Sequence, residues 1–138
     1  MMIAAPHLGD FLALAGRRRR VAGSWDCCTF PAAWCIANGY PDPMIEWRGS
    51  YASEEDALDI ARRGGGLATL FERGMAAAKI APRLRAPQPG DVGVLSLAGH
   101  EAGAIFTGKR WAFVAERGLG FSSVEAGAVL AVWEVCYR

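Results

Sequence analysis

The apolar positions of this chain change their spacing part-way along it. In the first half they recur every three to four residues, and after the connector 82–89 they alternate with polar positions. The first pattern predicts helices over about 7–18, 28–38, 54–63 and 67–78. The second predicts strands at about 91–97, 102–107, 110–115, 119–122 and 129–136. N-terminal helices packed on a C-terminal antiparallel sheet would form an α+β fold, and the length suits a single domain, 1–138.

The second predicted helix matters most, because its start sets the surroundings of a cysteine. Gly39 follows it as a terminating glycine, and Pro31 is tolerated only in the first turn. The helix therefore begins near Cys28 and leaves Cys27 at the lip of the preceding loop. Unpaired backbone N–H groups and the helix dipole at this position would lower the pKa of the thiol and favour a nucleophilic thiolate. The alternative is a small, partly buried thiol that packs the helix against the sheet.

Composition bounds the function without fixing it. Hydrophobic residues make up 52% of the chain, with five Trp and six Phe, which indicates either a well-filled core or a sizeable protein interface. A net charge of +1 gives no indication of nucleic-acid or acidic-lipid binding. The one charge run, 17–20, is either a solvated helix end or a contact for an acidic partner surface.

The chain shows neither a targeting signal nor a run long enough to span a membrane. We therefore expect synthesis in a reducing cytosol, where the four cysteines remain free thiols. The cysteines form no Cys-x-x-Cys pair, so the sequence predicts no metal site, and no motif indicates a cofactor.

Three motifs in order carry a resemblance to a known family. Asp26-Cys27 precedes a helix, Gly90-Asp91 opens a strand, and Glu101-Ala102-Gly103 lies on the next strand. This trio resembles the core of the NlpC-type papain-like cell-wall peptidases. Further segments look like a branch of that family encoded by prophages and gene-transfer agents near tail-tip genes; they are Trp25, 47–51, 64–66, 118–119 and 131–135. The resemblance covers about residues 8–137 and implies a papain-like fold with a sheet or half-barrel.

The same resemblance assigns catalytic positions, and the chain departs from them. Cys27 matches the nucleophile, but Glu101 occupies the place of the histidine in the family's His-x-Gly pattern, and His100 comes one residue early. Adjacent strand residues face opposite sides of a sheet, so only a β-bulge would bring His100 round. The third member should lie on the next strand, where the nearest polar candidate is Glu116.

These observations predict a phage or gene-transfer-agent tail-tip component whose peptidase site is incomplete. Its partners would be tail hub or tip proteins, and it would reach the virion after synthesis in the host cytoplasm. One alternative is an active peptidase that cuts peptidoglycan during DNA entry, with Cys27 as nucleophile and a displaced His100 as base. Another is a small cytosolic binding module outside any virion.

Overall fold

A computed structural model describes residues 5–138, and in this range helices come first and strands second. The helices are α1 (Leu8–Ala15), α2 (Thr29–Ala37), α3 (Glu54–Arg63) and α4 (Leu67–Ala77). The strands are β1 (Val92–Leu97), β2 (His100–Phe106), β3 (Trp111–Val114), β4 (Leu119–Ser122) and β5 (Val129–Trp133). They form one antiparallel sheet in the order β4-β3-β2-β1-β5. The α+β prediction is confirmed.

The first predicted helix was too long at its C-terminal end. It stops at Ala15, where Gly16 donates its N–H to the carbonyl of Leu12. The following chain then pairs with the β3–β4 turn: Arg20 N–H donates to the Glu116 carbonyl at 3.1 Å, and Gly118 N–H donates to the Arg18 carbonyl at 3.0 Å. This pairing spans about a hundred residues of sequence, so local periodicity could not reveal it.

Two strand boundaries also differ from the prediction. β2 begins at His100 rather than 102, because it pairs with β1 as far as the hairpin. The last strand ends at Trp133 rather than 136, because the N–H of Glu134 turns to the carbonyl of Ala81 at 2.9 Å. The connector therefore contributes backbone partners that the sequence pattern did not indicate.

The other helix boundaries follow local chemistry. Ser53 caps α3 by accepting a hydrogen bond from the N–H of Asp56 at 3.1 Å, as its N-cap pattern predicted. Gly65 and Gly66 have positive φ and separate α3 from α4. The loop 40–51 is irregular, and the Arg48 guanidinium clamps it by binding both carboxylate oxygens of Asp42.

The tryptophans belong to the core. All five are buried, with exposed fractions between 3% and 9%, which favours the well-filled core over an interface built on exposed tryptophans. In the main cluster the helices pack on one another and on the sheet. Between ring centroids, Phe11 of α1 lies 5.0 Å from Trp34 of α2, and Phe71 of α4 lies 6.1 Å from Trp133 of β5. A smaller cluster covers the other face of the sheet and includes Leu95, Ala104 and Trp111.

Candidate functional site around Cys27

A buried carboxylate builds the turn that carries Cys27. One Asp26 oxygen accepts hydrogen bonds from the backbone N–H groups of Cys28 and Thr29, both at 2.9 Å. The other accepts from the N–H of Gly23 at 2.8 Å and from the Tyr51 hydroxyl at 2.6 Å. The Thr29 hydroxyl in turn accepts from the N–H of Asp26 at 2.7 Å. This reciprocal cap satisfies the first donors of α2 and fixes its starting point.

Asp26 remains ionised in this environment. Burial alone would raise the pKa of its carboxyl, but the hydrogen bonds from Tyr51, Thr29, Gly23 and Cys28 outweigh burial and lower that pKa. A negative charge therefore lies beside Cys27 and opposes formation of a thiolate there.

Cys27 lies where α2 meets the sheet. A Cβ at Gly103 would collide with the carbonyl oxygen of Cys27 and would lie 3.0 Å from Pro31 and 3.1 Å from Phe71. Only glycine allows this approach. β3 pairs with β2 only at Ile105 and Phe106, so within residues 5–138 the part of β2 that carries Gly103 has no strand partner on that side. The prediction that Cys27 stands at a helix start against the Gly103 strand is confirmed.

The two adjacent cysteines share a hydrogen bond. Their sulfur atoms are 3.9 Å apart, and both thiols are free. The hydrogen bond with Cys28 is the main cause that lowers the pKa of the Cys27 thiol, against burial and the Asp26 charge, and the Gly103 backbone and the Arg20 charge also lower it. The same hydrogen bond and burial raise the pKa of Cys28. Cys27 is therefore the more acidic thiol of the pair.

Glu101 binds a helix rather than a catalytic partner. Its carboxylate accepts a hydrogen bond at 2.7 Å from the backbone N–H of Leu67, the first residue of α4. The residue before it, Gly66, has no side chain that could cap the helix, so Glu101 supplies the cap from another element. Glycine at the N-cap position of α4 indicates that another residue caps this helix. The sequence does not indicate that this residue is Glu101.

His100 lies away from this arrangement. The β1–β2 register runs without a break from Val92↔Ile105 to Leu97↔His100, so no bulge rotates the strand. His100 is exposed and faces the opposite side of β2 from Glu101 and Gly103. The bulge that would bring it to Cys27 is absent from this ladder.

The remaining candidates do not supply a base. His7, the only other histidine of the chain, caps α1 by accepting from the N–H of Asp10 at 3.3 Å. Glu116 is exposed in the β3–β4 turn, where its carbonyl accepts from Arg20. Among residues 5–138, then, the structure joins Cys27 to Gly103 and Cys28 but adds no imidazole.

The Gly90-Asp91 motif has a structural explanation. The Gly90 carbonyl accepts a hydrogen bond from the indole N–H of Trp34 in α2 at 2.8 Å. The buried Asp91 carboxylate binds the Arg83 guanidinium at 2.9 and 3.1 Å and the N–H of Gln88 at 2.8 Å. The motif therefore anchors the connector between helices and sheet.

Cys27 adjoins neither a metal-ligand cluster nor the main surface groove among residues 5–138. Residues 5–138 contain no group of three or more His, Cys, Asp or Glu side chains arranged to hold a metal ion. Over the same residues, no helix combines the length and apolar character needed to cross a bilayer. A groove of about 480 Å³ lies between α4, the connector and β5, lined in part by Ala76, Leu84 and Ala131, and Cys27 does not line it.

Comparison with protein families gives one result. The model of a family defined by a domain of unknown function, DUF6950, matches residues 3–135. The chain belongs to the DUF6950 family. Comparison with curated proteins and with solved structures gives no match. Because DUF6950 has no assigned activity, the contacts around Cys27 are the basis for a functional proposal.

Proposed function

We propose that this protein is a tail-tip component of a phage or gene-transfer agent, with a papain-like, NlpC-type fold around an incomplete peptidase site. The approach of a helix-start cysteine to an antiparallel strand supports the fold. The tail-tip setting rests on the resemblance of the sequence motifs, with tail hub or tip proteins as the expected partners.

The position of Glu101 is the observation that carries the proposal. It occupies the place of the histidine base in the resembling family, and its carboxylate caps α4. A carboxylate is a much weaker base than an imidazole, so it is poorly suited to take the proton of a thiol. A carboxylate would also repel the thiolate that an imidazolium would stabilise.

In this proposal Cys27 and its neighbours maintain structure. The thiol is half-buried where α2 contacts β2. The Cys27 carbonyl packs so closely on Gly103 that no side chain would fit there. Asp26 fixes the turn, and Cys28 fills the core beneath it. A peptidase would need the same helix start and the same close contact with β2. Their presence here fits a domain that keeps this packing without the catalytic base.

An active peptidoglycan peptidase is the second candidate, because the pKa of Cys27 is lowered. A more acidic thiol is a better nucleophile at neutral pH. The leaving amine still needs a proton from a general acid. His100 could supply one only if β2 shifted its register by one residue and exchanged the faces of its side chains.

Particle composition tests the proposed assembly role. Purified particles analysed by quantitative mass spectrometry should contain the protein at a constant ratio to the tail proteins. Particles assembled with Cys27→Ala should deliver DNA as the wild type does. Absence of the protein from particles would contradict the proposal and favour the cytosolic binding module. A loss of delivery in Cys27→Ala particles of normal composition would favour the peptidase.

A further inference from the structure

The two edges of the sheet are protected to different degrees. Along β5, the connector forms backbone hydrogen bonds from Arg83 N–H to the Val132 carbonyl at 2.8 Å and from Glu134 N–H to the Ala81 carbonyl at 2.9 Å. The Arg83 side chain strengthens this cover by binding Asp91 and Glu134. The C-terminal end of the β5 edge is therefore covered by the chain itself.

The β4 edge has no such cover. β4 pairs with β3 alone, and the Ala115 N–H donates to the Gly118 carbonyl at 3.1 Å where the turn closes. Antiparallel alternation from that bond directs the N–H and C=O groups of Leu119 and Phe121 away from β3. The 18–20 segment pairs with 116–118 and stops there, and no other part of the chain between residues 5 and 138 pairs with the outer edge of β4.

Local sequence does not block this edge. The four residues of β4 include neither proline nor a charged residue, and their register with β3 is regular. Edge strands are commonly protected by such residues or by bulges. The chain after β4 turns onto the outer face of the sheet, where Val124 packs on the smaller apolar cluster. An added strand would meet free backbone groups beside the half-exposed ring of Phe121.

Charge at the two ends of β4 indicates what kind of strand would fit. Arg19 and Arg117 face each other across the bridge at one end, and the exposed Lys109 and Arg110 lie in the hairpin at the other. The Arg110 guanidinium lies 5.5 Å from the Phe121 ring centroid. The two carboxylates nearest in sequence, Glu116 and Glu125, balance only part of the charge of these four cations. A second copy would bring like charges together, whereas an acidic strand would neutralise them.

We infer that the outer edge of β4 binds an extended, acidic segment of a partner protein by strand addition. The inference deepens the proposed assembly role and rests on it for the source of the partner. Backbone hydrogen bonds from Leu119 and Phe121 supply affinity, and the flanking cations select the charge of the incoming strand.

A labelled peptide tests this edge without any particle. The probe is a synthetic peptide of alternating Glu and Val, compared with its Lys–Val counterpart, and binding is followed by fluorescence anisotropy. Phe121→Pro removes the outward N–H donor, and Phe121→Ala is the matched control that keeps it. We expect the acidic peptide to bind the wild type and Phe121→Ala, and to bind Phe121→Pro and the Arg19→Glu/Arg117→Glu double variant on the order of tenfold more weakly.

Hydrogen exchange identifies where the acidic peptide binds. The amides of Leu119 and Phe121 should gain protection when the peptide is added, in a folded wild-type protein. Equal binding of acidic and basic peptides, or protection elsewhere with none in β4, would overturn the inference. A homodimer formed through β4 would overturn it too. If the protein binds the peptide but is absent from particles, the inference about β4 stands and only the assembly role is rejected.

Discussion

At the scale of single residues, the surroundings of Cys27 combine the Cys28 thiol, burial and the Asp26 carboxylate. Sequence reasoning placed Cys27 correctly at a helix start, because Pro31 and Gly39 constrain that helix from both ends. It did not foresee that Asp26 is the cap, since two of its four hydrogen bonds come from Gly23 and Tyr51, outside the helix. Contacts with distant loops set the chemistry of this turn.

Replacing Asp26 tests the buried cap. Asp26→Asn should lower the free energy of unfolding at neutral pH by roughly 2 to 4 kcal/mol, because an amide cannot accept all four hydrogen bonds. The folded-state pKa of Asp26 is lowered, so its stabilisation is complete above the ordinary value of 3.8 and is lost as pH falls through the folded-state value. Urea unfolding at a series of pH values should show that the difference in free energy of unfolding between Asp26→Asn and the wild type shrinks as the pH falls through the folded-state pKa of Asp26. Glu125→Gln, at an exposed carboxylate, should change little; a pH-independent difference for Asp26→Asn would contradict the account.

The paired thiols make a separate prediction. Cys28→Ala removes the hydrogen-bond partner of Cys27, so the pKa of Cys27 should rise and its alkylation by iodoacetamide should slow at neutral pH. Cys28→Ser keeps a donor and should preserve more of the reactivity. Peptide mass spectrometry measures both rates, with the exposed Cys136 as an internal reference. Unchanged Cys27 reactivity in Cys28→Ala would show that another group sets its pKa.

At the scale of elements, boundaries marked by local residues could be predicted from the sequence, and boundaries set by long-range pairing could not. The bounds of α3 and β4 matched the sequence prediction, because Ser53 and the glycines near Gly66 and Gly118 mark them. The end of α1 and the start of β2 did not, because they depend on pairing with 116–118 and with β1. The sequence resemblance puts Glu101 at a catalytic position, whereas its capping role depends on α4 lying beside β2, which local sequence does not predict.

Contact between α2 and β2 can be tested at Gly103. Gly103→Ala should lower the free energy of unfolding by roughly 2 to 4 kcal/mol, because the added methyl group overlaps the Cys27 carbonyl and crowds Pro31 and Phe71. Gly127→Ala is the matched control, since a Cβ there meets nothing within 4 Å. Thermal and urea unfolding of both variants would check this. Equal stability of the two would mean that the helix does not pack as closely on the strand as described.

At the scale of the whole molecule, a core with five buried tryptophans holds a cysteine and a strand in the arrangement that the sequence motifs predicted. The same architecture keeps His100 on the far face of β2 and, among residues 5–138, leaves the outer edge of β4 without a strand partner. The α+β class followed from periodicity alone. Whether the site is complete could not follow from it, because one residue of register decides which side chain faces Cys27.

Hydrolysis of purified peptidoglycan is the most direct test of the central claim that the site lacks its base. Release of peptide fragments would be followed by liquid chromatography and mass spectrometry for the wild type, Cys27→Ser, His100→Ala and Glu101→Gln. The account predicts no release above that of Cys27→Ser at neutral pH. Turnover by the wild type that is lost in both Cys27→Ser and His100→Ala, but kept in Glu101→Gln, would contradict it.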